Sequence, residues 1–187
     1  MNNLLFLTGS GISVDSGLPT FEQHPEYRQI LTRSYVEEHP EEYRNLVRTL
    51  TKSALNAKPN VAHFAIAQTG APVITMNVDG LHQKAGSNLV IPVHGYLPTL
   101  EEIEYEEFPI EFGGLILYGD LAPLYSKAFQ QLNRLPVGGN LVIVGTSFFT
   151  GFANEFHEVA QRHNINIYII NDNASQRVPK LLQSLGF

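Results

Sequence analysis

Short apolar runs recur along this chain, and nearly every one is unbroken. They cover residues 4–7, 72–75, 89–93, 115–118, 141–144 and 167–170. A strand wetted on one face alternates polar with apolar side chains, so a run that is apolar throughout must be covered on both faces. Helical stretches are expected between the runs, around residues 40–56, 61–68, 122–135, 153–163 and 178–185. Strands alternating with helices predict an α/β fold built on a doubly wound parallel sheet. With 187 residues the chain is long enough for one such domain with small insertions. Two stretches interrupt the alternation. Residues 22–38 are polar with aromatics and no clear period, as expected of a mobile cover. Residues 95–114 hold six glutamates and read as a solvated acidic connection.

The first run enters a glycine loop, Thr8-Gly9-Ser10-Gly11-Ile12-Ser13, which continues to Gly17-Leu18-Pro19-Thr20-Phe21. In an open α/β sheet, glycines here let the backbone approach a pyrophosphate, and the following helix offers unpaired N–H groups to the charge. The usual dinucleotide fingerprint places a third glycine where this chain has Val14. A plain steric turn takes the same glycines, so the loop alone leaves both readings open.

Composition narrows the chemistry. The absence of cysteine removes disulfides, thiolate nucleophiles and cysteine-ligated zinc. Seven histidines show no metal-ligand spacing, and a net charge of −6 disfavours direct nucleic-acid binding. No run is long enough to span a bilayer and no signal peptide is evident, so a cytoplasmic location away from membranes is expected.

Ligands in this fold class bind at the carboxyl ends of the strands. Those ends carry Thr75-Met76-Asn77-Val78-Asp79-Gly80-Leu81-His82, His94-Gly95, Gly145-Thr146-Ser147 and Asn171. Small and hydrogen-bonding residues therefore converge on one crevice. Each has a structural alternative: Asp79 suits a helix cap over residues 80–85, Gly145 suits close packing, and His63 and His82 suit buried hydrogen bonding.

In order along nearly the whole chain, these motifs resemble those of the sirtuins, NAD-dependent protein deacylases. Gly9, Gly11, Ile12, Ser13, Ser16, Gly17, Pro19 and Phe21 match the family's glycine loop. Pro59-Asn60 with His63 matches its helix start, and Thr75, Asn77, Asp79, Gly80, Leu81 and His82 with Ala85-Gly86 match the next motif. Val93-His94-Gly95 matches the catalytic His-Gly pair, and Gly145-Thr146-Ser147 and Ile170-Asn171 match the last nucleotide motifs. The resemblance implies a Rossmann-like catalytic domain over residues 1–187, with insertions near 22–58 and 95–114 forming a small, reduced helical cap. It implies that NAD is held by Gly9, Ser10, Gly11, Ser13, Phe21, Asn77, Val78, Asp79, Gly145, Thr146, Ser147 and Asn171. His94 would act as general base, since its unperturbed pKa lies near neutrality. Asn77 would fix ribose hydroxyls and a water, Asp79 and the Val78 N–H the carboxamide, and Phe21 would exclude water.

The departures from the family pattern are specific. Residues 95–114 stand where the family carries a four-cysteine zinc module, so no zinc ribbon and no metal are expected. Thr20 and Glu22 replace an Asp and an Arg, and Met76 replaces a Gln. Tyr118-Gly119-Asp120 stands for Phe-Gly-Glu, and with Phe148 it would bind the acyl-lysine peptide as an added strand. Phe148, Phe149 and Phe152 would reshape the acyl tunnel. Lysine deacylation of a protein or peptide is the favoured expectation. NAD hydrolysis or ADP-ribosyl transfer is the enzymatic alternative, and a non-catalytic nucleotide-binding module is the third. Oligomeric state is not legible.

Overall fold

In a computed structural model of the chain, residues 3–105, 108–110, 114–148 and 151–187 are described. Five strands form one sheet: β1 (Leu4–Thr8), β2 (Val73–Thr75), β3 (Val90–Pro92), β4 (Asn140–Val144) and β5 (Asn166–Ile170). Their order is β3-β2-β1-β4-β5, and every pairing is parallel. The chain winds outward from β1 to β3, then returns to β1's other side to build β4 and β5. The switch point therefore lies between β1 and β4, where an open α/β sheet leaves a crevice at its carboxyl edge.

The unbroken apolar runs are explained by two covered faces. Leu5 and Leu7 point into a core with Ala128, Leu132, Phe152 and Phe156, which come from α7 (Tyr125–Asn133) and α8 (Gly151–Arg162). Leu4 and Phe6 point into the opposite core with Ile66, Val178 and Leu182, from α4 (Val61–Gln68) and α9 (Ala174–Ser184). Alternate side chains of one strand thus serve different layers.

A third core lies outside the sheet. It joins α1 (Pro25–Ile30), α2 (Arg33–Glu38), α3 (Pro40–Asn56) and α6 (Leu100–Glu104) into a helical cap. Tyr43, Val47, Ile103, Phe108 and Leu117 are buried there. This corrects the reading of residues 95–114 as merely solvated. Thr99 caps α6 by accepting from the Glu102 N–H, while Glu102 accepts from the Thr99 N–H. Arg48 donates to the carbonyls of Ile103 and Tyr105, Arg44 to that of Phe108, and the Tyr43 hydroxyl to that of Ile110. Glu101 and Glu104 are exposed, while α3 donates to the backbone carbonyls of Ile103, Tyr105, Phe108 and Ile110.

The run at residues 115–118 is not a strand of the sheet. Leu115 and Leu117 are buried in the cap core. The Ile116 N–H donates to the His94 carbonyl, and Tyr118 makes a single bridge to Thr32. Its backbone partners come from two different segments, so no ladder propagates. Residues 22–38 hold α1 and α2, each six residues long, under two turns and too short to display a period. The last helix starts at Ala174, before the expected 178, because Ala174, Val178 and Leu182 form one buried stripe.

Candidate functional site

At the switch point the glycine loop and the loop after β4 interlock. Gly9 N–H donates to the Val144 carbonyl at 2.9 Å, and Gly11 N–H to the Gly145 carbonyl at 3.0 Å. Gly145 has φ of +64°, and a Cβ there would lie 2.3 Å from the Ile12 nitrogen. Only glycine permits this approach. The loop continues as a 3-10 helix, Ser10–Ser16. Asn60 ties that helix to α4: its amide donates to the Ile12 carbonyl at 2.8 Å and to Ser16 Oγ at 3.0 Å, while its Oδ1 caps the Ala62 N–H.

A crevice of about 400 Å³ opens between this platform and the cap. Its walls include Gly9, Ser10, Phe21, Asn77, Val78, His94, Tyr118, Gly119, Gly145, Thr146, Ser147 and Phe148. A second cavity of about 330 Å³ shares Ser10, Phe21, Gly145, Thr146 and Ser147, and adds Gly11 and Asn171. The sequence-predicted residues therefore converge, with two exceptions. Ser13 and Asp79 line neither cavity. Ser13 Oγ donates to Asp79 Oδ2 at 2.7 Å, and Asp79 Oδ1 accepts from the Leu81 N–H at 2.9 Å, capping α5 (Leu81–Lys84). Asn77 Nδ2 links this pair to the wall, donating to the Gly9 carbonyl at 3.1 Å and to Ser13 Oγ at 3.3 Å.

His94 sits just beyond β3. Its Nδ1 lies 3.1 Å from the Met76 carbonyl and its Nε2 lies 3.3 Å from the Tyr125 hydroxyl. A carbonyl only accepts, so Nδ1 carries the hydrogen and Nε2 presents a lone pair. Burial lowers the imidazole's pKa below its ordinary value, with the Met76 carbonyl opposing in part. The ring is therefore neutral at pH 7, with its basic nitrogen toward the Tyr125 hydroxyl, itself on the crevice wall. Gly95, with φ of +78°, has no side chain to block Gly114, whose carbonyl passes where a Cβ would stand.

Behind the wall, His63 and His82 pack with ring centres 4.9 Å apart and planes inclined at 58°. His82 Nε2 pairs with Thr8 Oγ1 at 3.0 Å, and the Asn60 N–H donates to His63 Nδ1 at 3.4 Å. Burial pushes His63 down to about 4, against the pull of Asp79, and His82 down to about 3. Both belong to the buried framework, not to the crevice wall.

Tyr118's main chain is engaged by the cap. Its N–H donates to the Leu31 carbonyl at 2.8 Å, and its carbonyl accepts from the Arg33 N–H at 2.9 Å. Of the pair expected to bind a peptide strand, this leaves the Gly119 main chain and the Tyr118 ring facing outward. Phe148 lines the crevice in a left-handed conformation, φ +57°, its carbonyl held by Asn154. Phe149 lies outside the described residues.

Two residues of the cavity walls escape motif reading. Tyr125, the first residue of α7, reaches His94. Arg28, from α1, lines both cavities and is the one basic side chain besides His94 on their described walls. Thr20, Glu22, Asp15 and Asp172 also border the second cavity. No spacing in the sequence marks Arg28 or Tyr125, because only the folding of the cap and the packing of α7 against the sheet bring them in.

The donor set fits a dinucleotide. The interlocked glycines leave backbone approachable, Ser10 and Ser147 supply hydroxyls, and Thr146 Oγ1 is buried on the wall without a hydrogen-bond partner. Asn171 anchors the Thr146 N–H through its Oδ1 at 3.0 Å. Among the described residues, no three His, Asp or Glu side chains converge to hold a metal ion, and no helix is long and apolar enough to cross a membrane.

A sequence model of the Sir2 family matches residues 9–107. The chain is similar to an NAD-dependent protein deacetylase 2 of Caldanaerobacter subterraneus subsp. tengcongensis, at 32% identity over 80% of this chain and 76% of that protein. It is also similar to an NAD-dependent protein deacetylase of Sulfolobus acidocaldarius, at 31% identity over 90% of this chain and 79% of that protein. Among solved structures, Sir2Tm bound to a propionylated peptide superposes with a TM-score of 0.80 at 23% identity, covering 98% of this chain and 93% of that one. A Sir2 homolog–NAD complex superposes with a TM-score of 0.81 at 23% identity, covering 98% and 89%.

Proposed function

We propose, because this chain belongs to the Sir2 family, that it is an NAD-dependent protein deacylase acting on acyl-lysine in a protein or peptide. The whole chain, residues 1–187, serves as one catalytic unit, its cap built from the segments near 22–58 and 95–114. The observation that carries this reading is His94, neutral, on the wall of a crevice whose other walls include the glycine platform and Asn77.

NAD, when bound, supplies a cleavable bond between nicotinamide and ribose, and the ADP-ribose that accepts the acyl group. Gly9, Ser10, Gly11, Gly145, Thr146, Ser147 and Asn171 hold its phosphates and adenosine ribose. Asn77 and the Val78 N–H meet the nicotinamide riboside end. Ser13 and Asp79 act from behind Asn77, fixing the segment that carries it. Phe21 closes the crevice to water. His94 takes a proton on Nε2 from a hydroxyl in the crevice, and Met76 steadies the imidazolium through Nδ1–H. Gly119 receives the peptide backbone, and Phe148 borders the acyl chain.

Mass spectrometry of an acyl-lysine peptide incubated with NAD tests this reading. The expected result is deacylated peptide and nicotinamide with the wild-type protein, and loss of deacylation with His94→Ala. A peptide untouched by wild type, as by His94→Ala, would overturn it. Engagement of the Tyr118 main chain by the cap favours one second reading, NAD hydrolysis or ADP-ribosyl transfer. Nicotinamide release undiminished without peptide would select it.

A further inference from the structure

We propose that Tyr125, on the crevice wall, relays a proton to His94: its hydroxyl fixes the imidazole through Nε2 and stands between that nitrogen and a hydroxyl in the crevice. The inference rests on the deacylase reading, in which His94 is the base. With Nδ1–H committed to the Met76 carbonyl at 3.1 Å, the Tyr125 hydroxyl at 3.3 Å donates to the Nε2 lone pair. Bonds at two separate ring nitrogens fix the rotation of the imidazole as one bond does not.

Tyr125 is itself held in place. Its ring packs on Phe152 with centres 4.4 Å apart, and Phe152 packs on Phe129 and Phe156, joining the hydroxyl to the core beneath the sheet. Burial, with Tyr118 and Glu155 nearby, raises the phenol's pKa, so it stays protonated at neutral pH. Burial and the Met76 carbonyl set the titration of His94.

The hydroxyl serves both states of the base. When His94 acts, the Tyr125 O–H bond breaks as an Nε2–H bond forms, and the O–H bond of the reacting hydroxyl breaks as its proton restores the phenol. The new N–H then donates to Tyr125 Oη, whose newly acquired hydrogen faces the crevice. A phenylalanine keeps the packing but supplies neither interaction.

Tyr125→Phe tests this with two readouts. The first is ¹⁵N NMR of His94 in the protein without NAD, where loss of the hydroxyl is expected to shift the Nε2 resonance. The second compares nicotinamide exchange into NAD, a cleavage that needs no base, with peptide deacylation. Exchange is expected to stay within about twofold, while kcat for deacylation falls at least about tenfold with little change in peptide KM. An unmoved Nε2 resonance, or equal effects on exchange and deacylation, would overturn the proposal. Wild-type protein that leaves the peptide acylated would overturn the deacylase reading instead. The NMR comparison would then decide the Tyr125–His94 contact by itself.

Discussion

Arg33 grips Asp120 with both arms of its guanidinium: Nε meets Oδ1 at 2.8 Å and a terminal nitrogen meets Oδ2 at 2.7 Å. Arg33 opens the second cap helix, and Asp120 follows Tyr118-Gly119, so the pair fastens the cap to that edge of the crevice. Asp120 Oδ2 also accepts from the Leu117 N–H, and the Arg33 contact holds its carboxyl below the usual range. Both side chains are partly solvated, so the gain in stability is modest and the effect is chiefly one of position. Arg33→Ala is expected to cost about 1 kcal/mol in urea unfolding. Steady-state kinetics should show it raising the KM for acyl peptide more than that for NAD.

The buried pair His63 and His82 predicts a pH-dependent stability. Their folded pKa values, about 4 and about 3, lie below the ordinary 6.5. Between those values the unfolded chain binds more protons than the folded one. Their contribution is therefore complete above about pH 6.5 and declines as pH falls toward 4 and then 3. Each can steepen the loss by up to about 1.4 kcal/mol per pH unit. Urea unfolding at pH 7.5, 6 and 5 checks this, and equal stability at all three would refute it.

Gly145→Ala should be severe. The new Cβ would meet the Ile12 nitrogen at 2.3 Å and would have to adopt a left-handed backbone. A loss of at least about 2 kcal/mol is expected, along with weakened NAD binding. Thermal unfolding and ADP-ribose titration measure the two effects.

Arg28→Ala is expected to weaken ADP-ribose binding about five- to tenfold, because acids crowd the second cavity and Arg28 is the basic side chain at its junction with the crevice. Isothermal titration at two ionic strengths checks it. Wild-type affinity should fall with salt more steeply than that of the variant.

The chain's own order of residues carried much of this outcome. Runs apolar at every position required a sheet covered on both faces, and Leu5 and Leu7 against Leu4 and Phe6 realise that requirement. The helix bounds at Pro40–Asn56 and Val61–Gln68 were legible because prolines, Asn60 and a sustained apolar stripe punctuate them. That Gly9, Asn77, His94 and Gly145 would line one crevice was legible because the carboxyl ends of parallel strands must share one edge. The run at 115–118 misled because burial in the cap and burial in a sheet demand the same apolar side chains. Local spacing could not show that Asp79 faces Ser13, that Tyr118 spends its backbone on Leu31 and Arg33, or that Arg28 and Tyr125 reach the crevice. Sequence fixes periodicity, which sets the layers and the strand ends. The packing of the cap and of α7 onto the sheet is a sum of long-range contacts, and it decides which side chains reach the crevice.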